Sequence, residues 1–145
     1  MAFKFPLETV LRIRGILEER EERLLQQIQY EISQNVEDLA RTDAGIAGSD
    51  ASRSENVFKP LAGYNLHALY GEVKDLKDNR EAVTAQIEKL NELRDKQLRA
   101  YEHARRNREM LTDMHEEQQN AYDSDAARRE QKTVDDNYIA RRGRP

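Results

Sequence analysis

The second half of the chain carries a stripe of positions spaced three and four residues apart, running from Leu66 to Tyr122. Residues at this spacing lie on one side of an α-helix, so the stripe can face a partner helix along its whole length. Its members are apolar at first and increasingly polar later: Leu66, Leu69, Val73, Leu76, Arg80, Val83, Ile87, Leu90, Arg94, Gln97, Tyr101, Ala104, Arg108, Leu111, His115, Gln118 and Tyr122. The pattern predicts a long helix over residues 61–140 that packs in a coiled coil.

The first half has a looser apolar pattern, which predicts a first helix over residues 5–44. Its apolar positions are Leu7, Val10, Leu11, Leu17, Leu24, Ile28, Ile32, Val36 and Leu39. The strongest recurrence is an 11-residue step from Leu17 to Ile28 to Leu39. Because 11 residues do not fit a heptad, this step predicts a nearly straight or locally unwound seam.

Turn-forming residues are concentrated between the two patterns, in residues 45–60 (GIAGSDASRSENVFKP). Glycine, serine, aspartate and asparagine favour turns or compete with helical hydrogen bonds. By contrast, neither glycine nor proline occurs in residues 16–44 or 72–142. The sequence therefore predicts a connector over residues 45–60 between two uninterrupted helical stretches.

Two amphipathic helices joined by one connector can pair within the chain. Such polar helices need a partner for stability, and the partner in the same chain has a high effective concentration. We predict an all-α fold, a long antiparallel two-helix coiled coil (an α-hairpin), forming a single domain over residues 1–145. The competing arrangement is a parallel homodimer of separate helices. The predicted seam residues are Leu17, Leu24, Ile28, Leu39, Leu69, Val73, Leu76, Val83, Ile87 and Leu90.

The two arms of this hairpin have unequal lengths. A turn near Ser52 would place Leu7 beside about Gln97, so the chain after about Tyr101 would extend past its partner by roughly 60 Å of helix. The stripe becomes polar in the same region, and a helix without a partner needs no apolar stripe. We therefore predict an overhanging C-terminal helix, followed by a basic tail over residues 141–145.

Composition supports long solvated helices over a thick core. Charged residues make up 36% of the 145 residues and apolar residues 37%, with a net charge of -4 and no cysteine. The absence of cysteine excludes disulfide and thiolate chemistry. No apolar run has the length of a signal peptide or of a membrane-spanning helix. We expect a cytoplasmic protein.

No constellation of residues indicates catalysis, a metal or a cofactor. The three histidines, His67, His103 and His115, are far apart in the sequence, whereas zinc needs three or four converging ligands. The carboxylates of 18-EEREE-22 alternate with arginine at helical spacing, as on a solvated helix face. Acidic residues, including Glu102, Glu109 and Asp113, also surround the basic cluster at residues 105–108. We therefore expect no enzyme, no cofactor, no nucleic acid and no small-molecule substrate.

Both ends of the chain carry aromatic and aliphatic residues among polar ones. Phe3 and Phe5 precede Pro6, which suits the first turn of a helix because its missing N–H group would be unpaired there. These phenylalanines could pack on the partner helix as a clasp, or they could anchor a partner protein. Near the other end, Val134, Tyr138 and Ile139 form a small apolar stripe on a polar helix, which is typical of recognition helices and also of frayed tails.

The ends also resemble the family of the flagellar export chaperone FliJ. The opening FKFPLETVLRIR (residues 3–14) is similar to the start of that family, and EQKTVDD (residues 130–136) resembles its acidic–lysine–acidic ending before a basic terminus. The size, the connector in mid-chain and the two long polar helices also match. The family usually has Asp-Glu where this chain has Asp135-Asp136.

The resemblance implies a stalk-like antiparallel coiled coil, similar to the central stalk of rotary ATPases. It implies binding to the hexameric export ATPase FliI and to the export gate protein FlhA, help in cycling export chaperones, and a place at the cytoplasmic face of the inner membrane. The residues expected to bind the ATPase ring are Phe3, Phe5, Arg105, Arg108, Gln131, Lys132, Asp135 and Asp136. Two alternatives stay open: a stalk protein of a virulence-type type III secretion system, and a generic homodimeric scaffold.

Overall fold

The computed structural model describes residues 2–55 and 63–143 of the chain. These residues form two long α-helices that pack against each other, α1 over Glu8–Glu55 and α2 over Gly63–Arg142. The helices contain 48 and 80 residues. The prediction of an all-helical fold built from two long helices is confirmed for the described part of the chain.

The helix termini follow from local sequence. A turn at Pro6 precedes α1, and the Glu8 amide donates a hydrogen bond to the Phe5 carbonyl oxygen at 3.2 Å. Glu8 lies in the first turn of α1, where a carboxylate complements the positive end of the helix dipole. Arg141 and Arg142 lie in the last turn of α2 and complement its negative end. The Gly143 amide closes that end through a 3.0 Å hydrogen bond to the Ile139 carbonyl oxygen.

The first helix extends 11 residues beyond its predicted end at residue 44. Residues 45–55, predicted as part of the connector, are helical, and residues 56–60 of that connector lie outside the described residues. Packing explains the difference. Gly45 lies against α2, so that a Cβ atom there would be 3.5 Å from Leu76 Cδ1. Ile46 is half-buried, and Arg53 pairs with Asp50 at 2.9 Å. Tertiary packing here outweighs the low helix propensity of glycine and serine.

The chain divides into two compact units. The central unit comprises Glu22–Ala100, and the terminal unit comprises Met1–Glu21 with Tyr101–Pro145. Each unit contains part of both helices. The predicted basic tail begins within α2, because residues 141 and 142 are helical; residues 144 and 145 lie outside the described part.

In the central unit, Leu25, Val73 and Leu90 form the buried core, and Leu90 is only 3% exposed. Asn79 Nδ2 donates a 3.1 Å hydrogen bond to the buried Thr42 Oγ1. The seam residues Ile28, Leu39, Leu69, Leu76, Val83 and Ile87 are half-buried. Burial of one stripe on each helix is what a two-helix seam requires.

Thirteen of the sixteen buried or half-buried positions of α1 follow a heptad, which differs from the predicted 11-residue step. They are Leu11, Arg14, Glu18, Glu21, Leu25, Ile28, Ile32, Asn35, Leu39, Thr42, Ile46, Ser49 and Arg53. Leu17 and Leu24, which the sequence pattern assigned to the seam, are instead 37% and 38% exposed. The adjacent residues Glu18 and Leu25 take the seam positions. Polar residues at heptad positions weakened the apolar pattern. The apolar residues Leu17 and Leu24 lie beside these positions, and the predicted seam was therefore shifted by one residue.

In the terminal unit, the predicted register is wrong. Phe5 packs against His115 and Glu18 pairs with Arg108, whereas the prediction placed Leu7 beside Gln97 and left residues after Tyr101 without a partner. Arg108, His115 and Tyr122 therefore have partners in α1 or in the N-terminal segment. Every described residue from 127 to 143 is exposed.

Candidate functional site

Aromatic side chains of the N-terminal segment and of α2 form a cluster in the terminal unit. Phe5 is 5% exposed, and its ring centroid lies 4.9 Å from that of His115 in an edge-on arrangement. The Phe3 ring lies 5.6 Å from both His115 and Tyr122. Both phenylalanines thus pack on α2 as the clasp interpretation anticipated, and edge-to-face ring contacts stabilise such a cluster beyond its buried area.

A bidentate ion pair joins the two helices further along the same unit. Arg108 donates through Nε to Glu18 Oε2 and through Nη2 to Glu18 Oε1, the second bond measuring 3.3 Å. The side chains of Glu18 and Arg108 are 15% and 32% exposed. The hydrogen bond to Glu18 raises the pKa of Arg108 above its ordinary value. A fork of this kind fixes geometry as well as charge.

Arg105 differs from Arg108, although the two lie three residues apart. Its side chain is exposed and its Nε donates to Glu109 Oε1 at 2.8 Å within α2. That hydrogen bond raises the pKa of Arg105. The pair stays within one helix and at the surface, where such interactions contribute little to stability. Arg105 is therefore accessible to a partner, while Arg108 is engaged within the chain.

The remaining predicted partner-binding residues lie on the exposed end of α2. Gln131 Nε2 donates to Asp135 Oδ1 at 3.1 Å. Lys132 and Asp136 are exposed and form no ion pair with any residue that the structure describes. Nearby, the Arg142 guanidinium lies 5.5 Å from the centroid of the exposed Tyr138 ring. This segment presents both charge signs and a small apolar stripe.

The structure thus separates the eight predicted partner-binding residues into two groups. Phe3, Phe5 and Arg108 make contacts within the terminal unit, whereas Arg105 and the four residues near the C-terminus face outward. Sequence reasoning missed Glu18 as the partner of Arg108. Glu18 lies seven residues from both Leu11 and Leu25, so a strict heptad count would have placed it in the seam.

The described part of the chain offers little support for metal binding or for a membrane-spanning helix. No group of three or more histidine, aspartate and glutamate side chains there could hold a metal ion. No helix described is long and apolar enough to cross a membrane. One open groove of about 730 Å³ in the central unit is lined mainly by charged side chains, including Asp43, Lys77 and Glu88.

Comparison with protein-family models gives a match over nearly the whole chain. Neither the curated proteins nor the solved structures yield a significant match to this chain. A family model described as Flagellar FliJ protein matches residues 3–144, which is nearly the whole sequence. It includes both terminal segments that carried the resemblance. The chain belongs to the FliJ family.

Proposed function

We propose that this chain is a non-enzymatic stalk component of the flagellar type III export apparatus, and that the exposed end of α2 binds the hexameric export ATPase FliI. Membership of the FliJ family supports a role in flagellar export. The observation that carries the assignment to this end is the continuous exposure of residues 127–142 in a helix. On this proposal the fold is an antiparallel coiled coil with an overhanging C-terminal helix.

The dimensions of a helix pair suit this role. Each helix with its side chains is about 10–12 Å wide, so two packed helices are about 20 Å wide and can enter the opening of a hexameric ring. Charged side chains on the surface of the pair meet the ring without a large apolar interface. Contacts that are weak and polar allow the helices to shift relative to six subunits.

Each predicted residue has a part in this mechanism. Gln131, Lys132, Asp135 and Asp136 contact the ring directly, since they are exposed and carry both charge signs. Arg105 adds an exposed cation nearer the middle of α2. The intramolecular group, Phe3, Phe5 and Arg108, keeps the two helices together where the exposed segment begins. We assign those three residues to holding this end and not to direct contact with the ring.

The gate protein FlhA and the export chaperones would use surfaces away from this end. The central unit supplies an exposed polar surface on both helices. The protein would then reside in the cytoplasm and associate peripherally with the inner membrane through the export apparatus. No cofactor, nucleic acid or small-molecule substrate has a part in this function.

The proposed function is tested with the ATPase rate and ring formation of the cognate export ATPase. The wild-type chain should stimulate both. The triple variant Lys132→Glu, Asp135→Arg, Asp136→Arg should keep its helicity but lose most of the stimulation, because it inverts the charges that meet the ring. No effect of the wild-type chain on ATPase rate or ring formation would contradict the proposal.

A matched control lies in the central unit. The triple variant Lys74→Glu, Asp75→Arg, Asp78→Arg changes the same residue types on exposed positions of the same helix, and so alters net charge equally. It should stimulate the ATPase as the wild type does. Equal loss of stimulation in both variants would mean that total charge, not the exposed end of α2, governs binding.

A further inference from the structure

The seam of the terminal unit contains a feature that stability alone does not explain. Glu18 and Arg108 occupy heptad positions on their helices, where apolar residues would pack well. Replacing a buried ion pair by apolar residues is often neutral or stabilising, because both charges lose their hydration when buried. A polar pair at such positions is best known as a device that specifies register and partner.

The apolar seam itself leaves register weakly defined. Apolar residues recur every seven positions in both helices, as Leu25, Ile32, Leu39 and Ile46 in α1 and as Leu69, Leu76, Val83 and Leu90 in α2. Sliding one helix past the other by seven residues, about 10.5 Å, therefore brings most of these apolar residues together again. The stripe positions seven residues either side of Arg108 are Tyr101 and His115. Neither offers a guanidinium to Glu18, so a slipped terminal unit would leave a half-buried carboxylate without its bidentate partner.

The same two residues oppose pairing between copies. In a parallel homodimer, each seam residue faces its own counterpart on the other chain. Glu18 would then face Glu18 and Arg108 would face Arg108, and like charges in a seam repel each other strongly. Within one chain, by contrast, the two residues attract and form two hydrogen bonds.

We infer that the Glu18–Arg108 pair selects the single-chain, antiparallel arrangement and its register over slipped and homodimeric alternatives. The pair acts on specificity: its removal should change which helices associate more than it changes the melting temperature. This inference is independent of the proposed binding to the export ATPase, because its test measures only pairing of the purified chain.

The test compares three variants by light scattering after size exclusion and by thermal melting. Glu18→Leu with Arg108→Leu should melt at an equal or higher temperature, yet acquire dimers of about twice 16.9 kDa in a dilution series. Glu18→Arg should lose helicity, because two guanidiniums would meet in the seam. The swapped variant Glu18→Arg with Arg108→Glu should restore a helical monomer. Persistence of the monomer in the double-leucine variant would overturn the inference, as would failure of the swap to restore the helical monomer.

The absence of cysteine provides a second readout. Leu11 is a half-buried seam residue, and a cysteine introduced there can form a disulfide only with a second chain. Leu11→Cys alone should stay reduced and monomeric under mild oxidation, whereas in the double-leucine background it should cross-link. Removing an exposed ion pair of the same unit by Asp125→Leu with Arg128→Leu is the matched control and should not promote cross-linking. Equal cross-linking of Leu11→Cys in the double-leucine background and in the control background would contradict a selective role for Glu18 and Arg108.

Discussion

The central and terminal units of this protein use the same heptad spacing but fill it with different chemistry. The central unit buries Leu25, Val73 and Leu90 and half-buries a run of leucine, isoleucine and valine. The terminal unit has an ion pair between Glu18 and Arg108 in its seam. Apolar burial supplies most folding free energy, whereas half-buried ion pairs mainly fix geometry. We therefore expect the central unit to hold the fold and the terminal unit to open more readily.

The largest effect should come from placing a charge in the central core. Leu90→Asp buries a carboxylate at the least exposed of the core positions, so it should lower the free energy of unfolding by about 4 kcal/mol. Loss of helicity, followed by circular dichroism during thermal melting, measures it. The matched control Leu93→Asp changes a leucine on the same helix that is half exposed. Similar losses from both variants would mean that Leu90 does not lie in a core.

A smaller and more local effect should follow from opening the aromatic cluster. Phe5→Ala removes the ring that packs on His115 and should cost about 3 kcal/mol. Since Phe5 belongs to the terminal unit, amide hydrogen exchange should accelerate in residues 101–122 and change little around Val73. The half-buried Phe3 gives a milder comparison as Phe3→Ala. Acceleration spread evenly over both units would show that the chain opens as one body.

The hydrogen bond between Asn79 and Thr42 tests the polar layer of the central unit. Thr42→Val preserves shape but removes the acceptor, and Asn79 is exposed enough to bond to water instead. We expect a loss of about 1 kcal/mol in denaturant unfolding. Thr84→Val is the control, because the exposed Thr84 hydroxyl donates to the Arg80 carbonyl oxygen of its own helix. A loss above 3 kcal/mol at Thr42 would indicate that the central unit depends on this layer as strongly as on its leucines.

The smallest effect should come from helical glycines that face open space. A Cβ atom added at Gly15 or Gly48 meets nothing within 4 Å, so Gly15→Ala and Gly48→Ala should each stabilise helix by about 0.5–1 kcal/mol. The two positions belong to different units. Gly48→Ala should raise the stability of global unfolding, while Gly15→Ala should slow exchange only in the terminal unit. Destabilisation by either variant would contradict the helical environment described for it.

The long stripe of α2 could be predicted from the sequence because its apolar half is regular and contains no proline, with Gly71 as its one glycine. The heptad of α1 could not be found by hydrophobicity, since Arg14, Glu18 and Thr42 occupy seam positions and Leu17 and Leu24 lie beside them. The 11-residue recurrence of Leu17, Ile28 and Leu39 combines one residue beside the heptad with two residues in it. A polar residue is tolerated in a seam when a partner across the seam offsets the cost of burying it. The identity of that partner depends on the register of the two helices.

The end of α1 and the partner-binding residues show the same limit. Glycine and serine after residue 44 indicated a connector, but contact with Leu76 holds that segment in a helix. Residue type alone could not separate Arg105 from Arg108, because their difference is the presence of Glu18 across the seam of one and not the other. Exposure of Gln131 and Lys132, in contrast, agrees with the end of the long three-and-four-spaced stripe at Tyr122.

Residue-resolved hydrogen exchange on the wild-type chain tests the difference between the two units most directly. Amides of α2 around Val73 and Leu90 should exchange only through global unfolding and share one high free energy of opening. Amides in residues 8–21 and 101–122 should exchange through a lower-energy opening that leaves the central unit folded. Equal opening free energies in both units, or slower exchange in the terminal unit, would contradict the claim that the apolar central seam holds the fold.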